Sequence, residues 1–139
     1  MSIVQNDIPN ATVLDLFSGS GALGLEALSR GAAHVTFVES AAPSLLSLEA
    51  NIAQLGAGET TVVQRADAIR FLAGIDEHAF DLTFADPPYR KGLAAQVVER
   101  WREQRFSRIL GVEHAADEAM PGEGDTRRYG DTALTFYRV

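Results

Sequence analysis

The fold is decided by the stretch Leu14-Asp15-Leu16-Phe17-Ser18-Gly19-Ser20-Gly21-Ala22-Leu23-Gly24. Its first part continues an apolar run that begins at Thr12, which predicts a buried strand. Its second part fits Gly-x-Gly-x-x-Gly at a turn from a strand into a helix. Glycines permit a tight turn and let a ligand come close to the backbone. The stretch therefore predicts a strand, a ligand-binding loop and a helix in succession.

Strands and helices alternate along the rest of the chain. Apolar and β-branched runs predict strands over residues 12–17, 34–39, 60–65, 80–85 and 107–113. Helical spacing predicts helices over residues 22–29, 43–55, 68–73 and 92–103. The second helix carries Leu45, Leu48, Ile52 and Leu55 on one face. Residues 115–125 predict an acidic loop, and residues 127–139 predict a hairpin.

This alternation indicates a fold class. Strands separated by helices form parallel βαβ units with right-handed crossovers and helices on both faces of the sheet. We therefore predict one α/β domain over residues 1–139, with a doubly wound, mostly parallel, seven-stranded Rossmann-like sheet and a C-terminal antiparallel hairpin. In such a sheet, ligands bind at the carboxyl ends of the strands, near the switch in strand order.

The composition is typical of a cytoplasmic protein of one domain. Its 139 residues suffice for one core, and 46% of them are hydrophobic. The absence of cysteine excludes disulfides and thiolate metal ligands. No apolar run reaches transmembrane length, and residues 1–10 lack the basic and apolar regions of a signal peptide. We therefore expect a cytoplasmic monomer without membrane contact.

The charge distribution leaves two interpretations open. A net charge of −7 argues against binding of nucleic acid by charge alone. Residues 90–108, however, carry six basic and two acidic side chains, a net of +4. This block is either the solvated face of a helix or a strip that contacts phosphates beside a site.

Three carboxylates follow or end the predicted strands near the glycine loop. Glu39 follows Gly19 by 20 residues, and a carboxylate there accepts hydrogen bonds from ribose hydroxyls, which suits both NAD and S-adenosylmethionine. Asp15 fits poorly beside a pyrophosphate but well beside an ammonium and a sulfonium. Asp67 can accept from an adenine amino group. S-adenosylmethionine is therefore favoured, although each carboxylate alone could be a helix cap or a turn residue.

Asp86-Pro87-Pro88-Tyr89 follows the fourth predicted strand. The Asp86 side chain and the Pro87 carbonyl can accept the two N–H protons of an exocyclic amine on a base, which stabilises the charge that develops on nitrogen. The two prolines fix an extended backbone, and Tyr89 supplies a ring on which a base can stack. The alternative is a turn that merely ends a strand.

Taken together, these motifs resemble the RsmD-type 16S ribosomal RNA guanine-N2 methyltransferases, which have the class I S-adenosylmethionine-dependent fold. The resemblance rests on the runs 14–32, 38–39, 86–89 and 128–137 and extends over nearly the whole chain. It implies S-adenosyl-L-methionine as the cofactor and ribosomal RNA, or a small-subunit assembly particle, as the partner. The target base would have to leave its stack to reach the site.

The resemblance also implies roles for individual residues. The cofactor-binding residues would be Asp15, Phe17, Gly19, Ser20, Gly21, Glu39, Asp67 and Ala68. The catalytic residues would be Asp86, Pro87, Pro88 and Tyr89, and the substrate-binding residues Tyr89, Arg90 and Lys91. We expect no metal site, since His34, His78 and His114 are scattered. Glu113 and His114 could line the pocket, but we expect them to be structural.

One departure from the family pattern keeps alternatives open. Family members carry a basic arm before the first strand, whereas here that strand begins near Thr12. The arm normally grips RNA, so the alternatives are a DNA amino-methyltransferase and a non-catalytic cofactor-binding module truncated at its N-terminus. A DNA enzyme would need a target-recognition domain, for which 139 residues leave no room.

Overall fold

The computed structural model describes residues 2–139, with side chains from Val4 onward. Met1, the first residue of the predicted domain 1–139, lies outside the described residues. The strands are β1 (Thr12–Leu16), β2 (His34–Glu39), β3 (Thr61–Arg65), β4 (Phe80–Ala85), β5 (Ser107–Ala115), β6 (Asp125–Tyr129) and β7 (Thr132–Arg138). The helices are α1 (Ala22–Ser29), α2 (Ala42–Gln54), α3 (Ala68–Ala73) and α4 (Leu93–Gln104), with 3-10 helices at Ser2–Asp7 and Gly58–Thr60.

Within residues 2–139, seven strands form one sheet in the order β3-β2-β1-β4-β5-β7-β6. The strands from β1 to β5 are parallel, and β7 pairs antiparallel with both β5 and β6. The predicted fold class is therefore confirmed. Chain connections from β1 run outward through β2 to β3, whereas β4 lies on the other side of β1. The switch in strand order, where such sheets bind ligands, is the gap between β1 and β4.

Helices cover both faces of the sheet, and the alternation of side chains along β1 shows why. Leu14 and Leu16 belong to an apolar cluster that includes residues of α3 and α4. Val13 belongs to a second cluster that includes residues of α1 and α2. Successive strand residues point to opposite faces, so each face of the sheet has its own layer of core. Among the described residues, no helix is long and apolar enough to span a membrane.

The structure moves several predicted boundaries by one or two residues: β1 ends at Leu16, α2 begins at Ala42 and α4 spans Leu93–Gln104. Helix α2 ends at Gln54, and Leu55 is 64% exposed, so the prediction that Leu55 lies on the helix face of Leu45, Leu48 and Ile52 was wrong. Thr60 ends a 3-10 helix and does not start β3. Strand β5 continues to Ala115, because pairing with β7 extends its ladder to Ala115 and Thr132. The loop before β6 is shorter than predicted for the same reason.

Gly24 is required by the packing of α1 on β2. A Cβ atom on Gly24 would lie 2.4 Å from Cε1 of Phe37 and 2.8 Å from Cγ1 of Val35, both of them buried. We expect Gly24→Ala to destabilise the protein by about 1–3 kcal/mol through overpacking, although alanine is the better helix former. Urea unfolding measures the change. Gly74→Ala is the control, since a Cβ there meets nothing within 4 Å, and equal midpoints for the two variants would refute the packing argument.

Candidate functional site

The loop between β1 and α1 is a tight turn with backbone in the left-handed region. Gly19 has φ +56° and Gly21 has φ +86°, and Phe17, a non-glycine residue, also has φ 57°. The Gly21 N–H donates to the Ser18 carbonyl at 2.8 Å, which closes the turn. A Cβ on Gly19 would meet nothing within 4 Å. The loop therefore has open space above Gly19, as the predicted approach of a ligand to the backbone requires.

Two side chains that the sequence analysis did not single out hold this loop in place. The Ser18 hydroxyl accepts from the Val38 N–H at 3.1 Å, which ties the loop to β2. The Asn51 side chain in α2 donates to the Ser20 carbonyl at 3.0 Å. Ser18 could have been identified from the sequence, because its hydroxyl side chain directly follows the first predicted strand. No local signal identifies Asn51, because its contact joins residues 31 positions apart.

Glu39 lies at the end of β2 and contacts the loop directly. Its Oε1 accepts from the Gly19 N–H at 2.7 Å. Its Oε2 accepts from the N–H groups of Ser40 and Ala41 at 3.1 and 2.9 Å. A carboxylate oxygen has more than one acceptor site, so Glu39 can still receive a hydrogen bond from a ligand hydroxyl. The structure thus brings Glu39 and the glycine loop together.

Asp15 is buried beneath the loop, with 1% of its surface exposed. Its Oδ2 accepts from the Gly24 N–H at 3.1 Å, and that N–H lies in the first turn of α1, where no intrahelical acceptor exists. Burial raises the pKa of Asp15 to about 8, although the Gly24 hydrogen bond opposes the shift; the nearby Asp86 and Glu39 carboxyls also raise it. The group is thus mostly protonated at neutral pH unless a cation is bound nearby.

The raised pKa of Asp15 predicts a pH dependence of stability. Between its ordinary pKa of 3.8 and about 8, the unfolded chain has lost a proton that the folded protein keeps. The contribution of Asp15 to stability therefore falls as pH rises through this window, by about 1.4 kcal/mol per pH unit. We expect Asp15→Asn to remove this contribution, so that the variant gains stability relative to the wild type from pH 5 to pH 7.

Urea unfolding of both proteins at pH 5, 6 and 7 gives the measurement. Asparagine retains a carbonyl that can accept from the Gly24 N–H, so the cap on α1 is preserved. Asp76→Asn is the control, since Asp76 is exposed. A difference between Asp15→Asn and wild type that does not change with pH would contradict a raised pKa at Asp15.

Asp67 and Ala68 lie at the carboxyl end of β3, on the same edge of the sheet as Glu39. Asp67 is exposed and is the N-cap of α3, since its Oδ2 accepts from the Arg70 N–H at 3.0 Å. The capping interpretation of this residue therefore holds, and its other oxygen is left for a ligand. Ala68 is buried, and as the first residue of α3 it has an N–H without an intrahelical acceptor.

The Asp86-Pro87-Pro88-Tyr89 motif lies beside the glycine loop, across the switch in strand order. The Asp86 N–H donates to the Leu16 carbonyl at 3.3 Å, which joins the end of β4 to the end of β1. Pro87 is buried and Pro88 is exposed. The Tyr89 hydroxyl and the Thr132 hydroxyl are 3.0 Å apart, so the hairpin holds the outer end of Tyr89. Thr132 was not among the predicted site residues.

Asp86 faces a second carboxyl, that of Glu113 in β5. Although Asp86 is exposed overall, partial burial of its carboxyl, a hydrogen bond with Glu113 and the charge of Glu113 together raise its pKa to about 7. His114 points elsewhere: its Nδ1 lies 2.8 Å from the Ala115 carbonyl and its Nε2 2.7 Å from the Thr135 hydroxyl. His114 is buried and structural, as expected, whereas Glu113 belongs to the site.

The basic side chains of residues 90–108 mostly make contacts within the protein. In α4, Arg102 pairs with the exposed Glu99 at 3.0 Å, which agrees with the solvated-face interpretation. Arg100 is instead half-buried and donates to the Leu72 carbonyl in α3 at 2.8 Å, so it belongs to the contact between the two helices. Arg90 and Lys91, the predicted substrate-binding residues, are exposed and directly follow Tyr89, and Arg90 pairs with Asp117 at 3.1 Å.

Two further features concern possible ligand sites elsewhere in the described residues. Within residues 2–139, no group of three or more histidine or acidic side chains could hold a metal ion. A groove of about 500 Å³ runs between α3 and α4, but none of the predicted site residues lines it. The predicted site residues lie instead at the carboxyl edge of β1, β2 and β4, where the glycine loop, Glu39 and Asp86 meet.

Comparisons with known proteins find relatives of this chain. The family model described as Conserved hypothetical protein 95 matches residues 1–138. The Escherichia coli protein named Ribosomal RNA small subunit methyltransferase D is 37% identical over 117 residues, covering 82% of this chain and 58% of that protein. Its Haemophilus influenzae namesake is 38% identical over 139 residues, covering 95% of this chain and 72% of that protein.

Solved structures show the same fold. The candidate methyltransferase yhhF from Escherichia coli superposes with a TM-score of 0.85 at 32% sequence identity, covering 99% of this chain and 80% of that one. A chain described as hypothetical protein TTHA0928 of Thermus gives a TM-score of 0.83 at 29% identity, covering 99% and 81%. The present chain thus matches most of each solved structure but only 58% of the curated Escherichia coli protein.

Proposed function

We infer that this chain, which belongs to the RsmD-type family described as Conserved hypothetical protein 95, is a ribosomal RNA methyltransferase. The finer proposal is that it transfers a methyl group from S-adenosyl-L-methionine to the exocyclic N2 amine of a guanine in 16S ribosomal RNA. One observation supports the proposal most directly: the hydrogen bond from the Asp86 N–H to the Leu16 carbonyl holds Asp86-Pro87-Pro88-Tyr89 beside the glycine loop. We further propose that it works in the cytoplasm as a monomer.

The residues around the loop fit S-adenosyl-L-methionine by their chemistry. The side chains nearest the loop are carboxyls, namely Asp15 and Glu39, which suit an ammonium and ribose hydroxyls. A pyrophosphate would instead meet these carboxyls across the turn. Open space above Gly19 leaves room for the backbone to contact the ligand. We propose that Phe17, Ser20, Gly21, Asp67 and Ala68 complete this cofactor pocket.

When bound, S-adenosyl-L-methionine supplies an electrophilic methyl carbon on a sulfonium, and that carbon passes to the amine nitrogen by displacement. The protein's contribution is to hold the nitrogen in line with that carbon, because positioning supplies much of the rate in such reactions. Asp86 accepts one N–H of the amine, and the Pro87 carbonyl accepts the other. These acceptors stabilise the positive charge that grows on nitrogen.

Tyr89 is the proposed platform for the base. Its hydroxyl is fixed 3.0 Å from that of Thr132, so the ring has one restrained position on which a base that has left its stack can rest. Arg90 and Lys91 follow directly and are exposed, which suits contacts with flanking phosphates. Pro88 keeps the backbone between Asp86 and Tyr89 extended.

The test is transfer of tritium from labelled S-adenosyl-L-methionine to small-subunit RNA, or to small-subunit particles, that lack the modification. Nucleoside analysis then identifies the product, and we expect N2-methylguanosine. Duplex DNA is the comparison substrate. Methyl transfer to adenine or cytosine in DNA would replace this proposal with a DNA amino-methyltransferase. Calorimetric binding of the cofactor without transfer to any substrate would instead indicate a cofactor-binding module.

A further inference from the structure

We propose that Glu113 is the proton-sharing partner of Asp86, and that the two carboxyls act as a pair that takes up the proton released by the methylated amine. This inference rests on the proposed methyl transfer. Every methylation of a neutral amine leaves a positively charged nitrogen that must lose a proton to give the product. The site therefore needs a group at the nitrogen that can receive that proton.

The strand register brings the two carboxyls together. In the parallel pair of β4 and β5, Ala85 lies opposite Val112, and the next residue on each strand is Asp86 and Glu113 respectively. Their side chains are close enough to form a hydrogen bond with each other. The charge of Glu113 also acts on Tyr89, whose hydroxyl lies 3.0 Å from that of Thr132. Glu113 thus interacts with two of the residues that are proposed to hold the base.

The Asp86 side chain is exposed, and the charged groups that act on it are carboxyls. From β1, the Asp15 carboxyl interacts with Asp86, and Glu39 at the end of β2 interacts with Asp15. The basic side chain of Arg90 pairs with Asp117 at 3.1 Å. Glu113 lines a cavity of about 100 Å³ whose other walls are apolar or glycine: Leu23, Phe84, Ala85, Gly111, Leu134 and Phe136. Such surroundings disfavour two negative charges on the pair.

A second carboxylate beside Asp86 disfavours the ionised form of Asp86, so Asp86 is a stronger base than an isolated carboxylate. The raised pKa of Asp86, about 7, agrees with this arrangement. In the proposed step, the N–H bond of the methylated amine breaks and its electron pair returns to nitrogen. The proton bonds to an Asp86 carboxylate oxygen, and the new acid donates a hydrogen bond to Glu113. The proton then leaves to water.

The test is the pH profile of kcat in Glu113→Gln. Wild-type activity is expected to rise with pH through about 7, where Asp86 loses its proton. Glutamine has no negative charge and its amide N–H can donate to the Asp86 carboxylate, so the acidic limb should move down by at least about one pH unit. We also expect kcat at pH 8.5 to fall about tenfold, with the KM for the cofactor unchanged. Glu123→Gln, an exposed loop variant, is the control.

A second measurement works without any turnover. Carbon-13 NMR titration of the aspartate carboxyls, assigned with Asp86→Asn, should show Asp86 titrating near pH 7 in wild type and at least about one unit lower in Glu113→Gln. If Asp86 titrates at the same pH in Glu113→Gln as in wild type, the proposed sharing of a proton with Glu113 is overturned, whatever the activity of the variant. Shifted titration without methyl transfer to any substrate would reject the proposed function but keep the coupled carboxyls. If Glu113→Gln loses activity but the acidic limb of its kcat profile does not move, the role of Glu113 is structural and the proposed proton sharing is rejected.

Discussion

Asp86→Ala is expected to lower the rate of methyl transfer by about 100- to 1,000-fold, the range for removal of one group that stabilises developing charge. Asp86 faces the position proposed for the amine, and its carboxyl is the side-chain acceptor there. Its contact with β1 uses the backbone N–H, which alanine keeps. Affinity for S-adenosyl-L-methionine should therefore stay within about twofold of wild type, since the glycine loop and Glu39 are unchanged.

Single-turnover methyl transfer and isothermal titration of the cofactor measure the two effects separately. Asp86→Asn is the informative control, because its amide retains one acceptor oxygen but cannot take up a proton. Its rate should lie between those of wild type and Asp86→Ala. Equal activity of wild type and Asp86→Ala would refute the assignment of Asp86 as the acceptor for the amine.

The second large effect is expected at Glu39, in cofactor binding. Glu39→Ala should weaken affinity for S-adenosyl-L-methionine by about 10- to 100-fold, equivalent to about 1.4–2.8 kcal/mol. Two losses combine. The ribose loses its carboxylate acceptor, and the Gly19 N–H loses the 2.7 Å hydrogen bond that ties the loop to β2. A buried or half-buried donor left without its partner is costly, so the loop should also become less ordered.

Isothermal titration of Glu39→Ala gives the affinity, and circular dichroism verifies the fold. Glu49→Ala is a matched control, because Glu49 is an exposed glutamate in α2. Glu39→Gln separates the two losses, since an amide oxygen can still accept from the Gly19 N–H. Unchanged affinity in Glu39→Ala would show that the cofactor binds elsewhere or does not use its ribose hydroxyls at this position.

Much of the fold could be predicted because its signals are local. The bounds of α1, β2, α3 and β4 agree with the predicted ones to the residue. A buried strand, a glycine turn and an amphipathic helix each depend on neighbouring residues, so their patterns are visible in a short window. The bounds of α2, β3 and α4 differ from the predicted ones by a single residue, whereas the larger error, at the end of β5, occurred where distant pairing sets the end of an element. Strand β5 extends to Ala115 only because Thr132 pairs with it.

The partners within the site could not be predicted in the same way. Glu113 was expected to be structural, and Thr132, Ser18 and Asn51 were not considered. Tyr89 and Thr132 are 43 positions apart, and their contact exists because β7 inserts antiparallel between β5 and β6. No periodicity or spacing in the sequence specifies that insertion.

The sequence by itself determined the elements, the glycine loop after β1 and the residue types that such a site requires, since these depend on local backbone preferences and on side-chain chemistry. Only the tertiary structure decided which side chains meet. It paired Asp86 with Glu113 through the register of β4 and β5, and it used Asp15 to cap α1 beneath the loop. The physical reason is that burial and proximity, which shift the pKa values of Asp15 and Asp86, arise only when strands distant in sequence share one edge of a sheet.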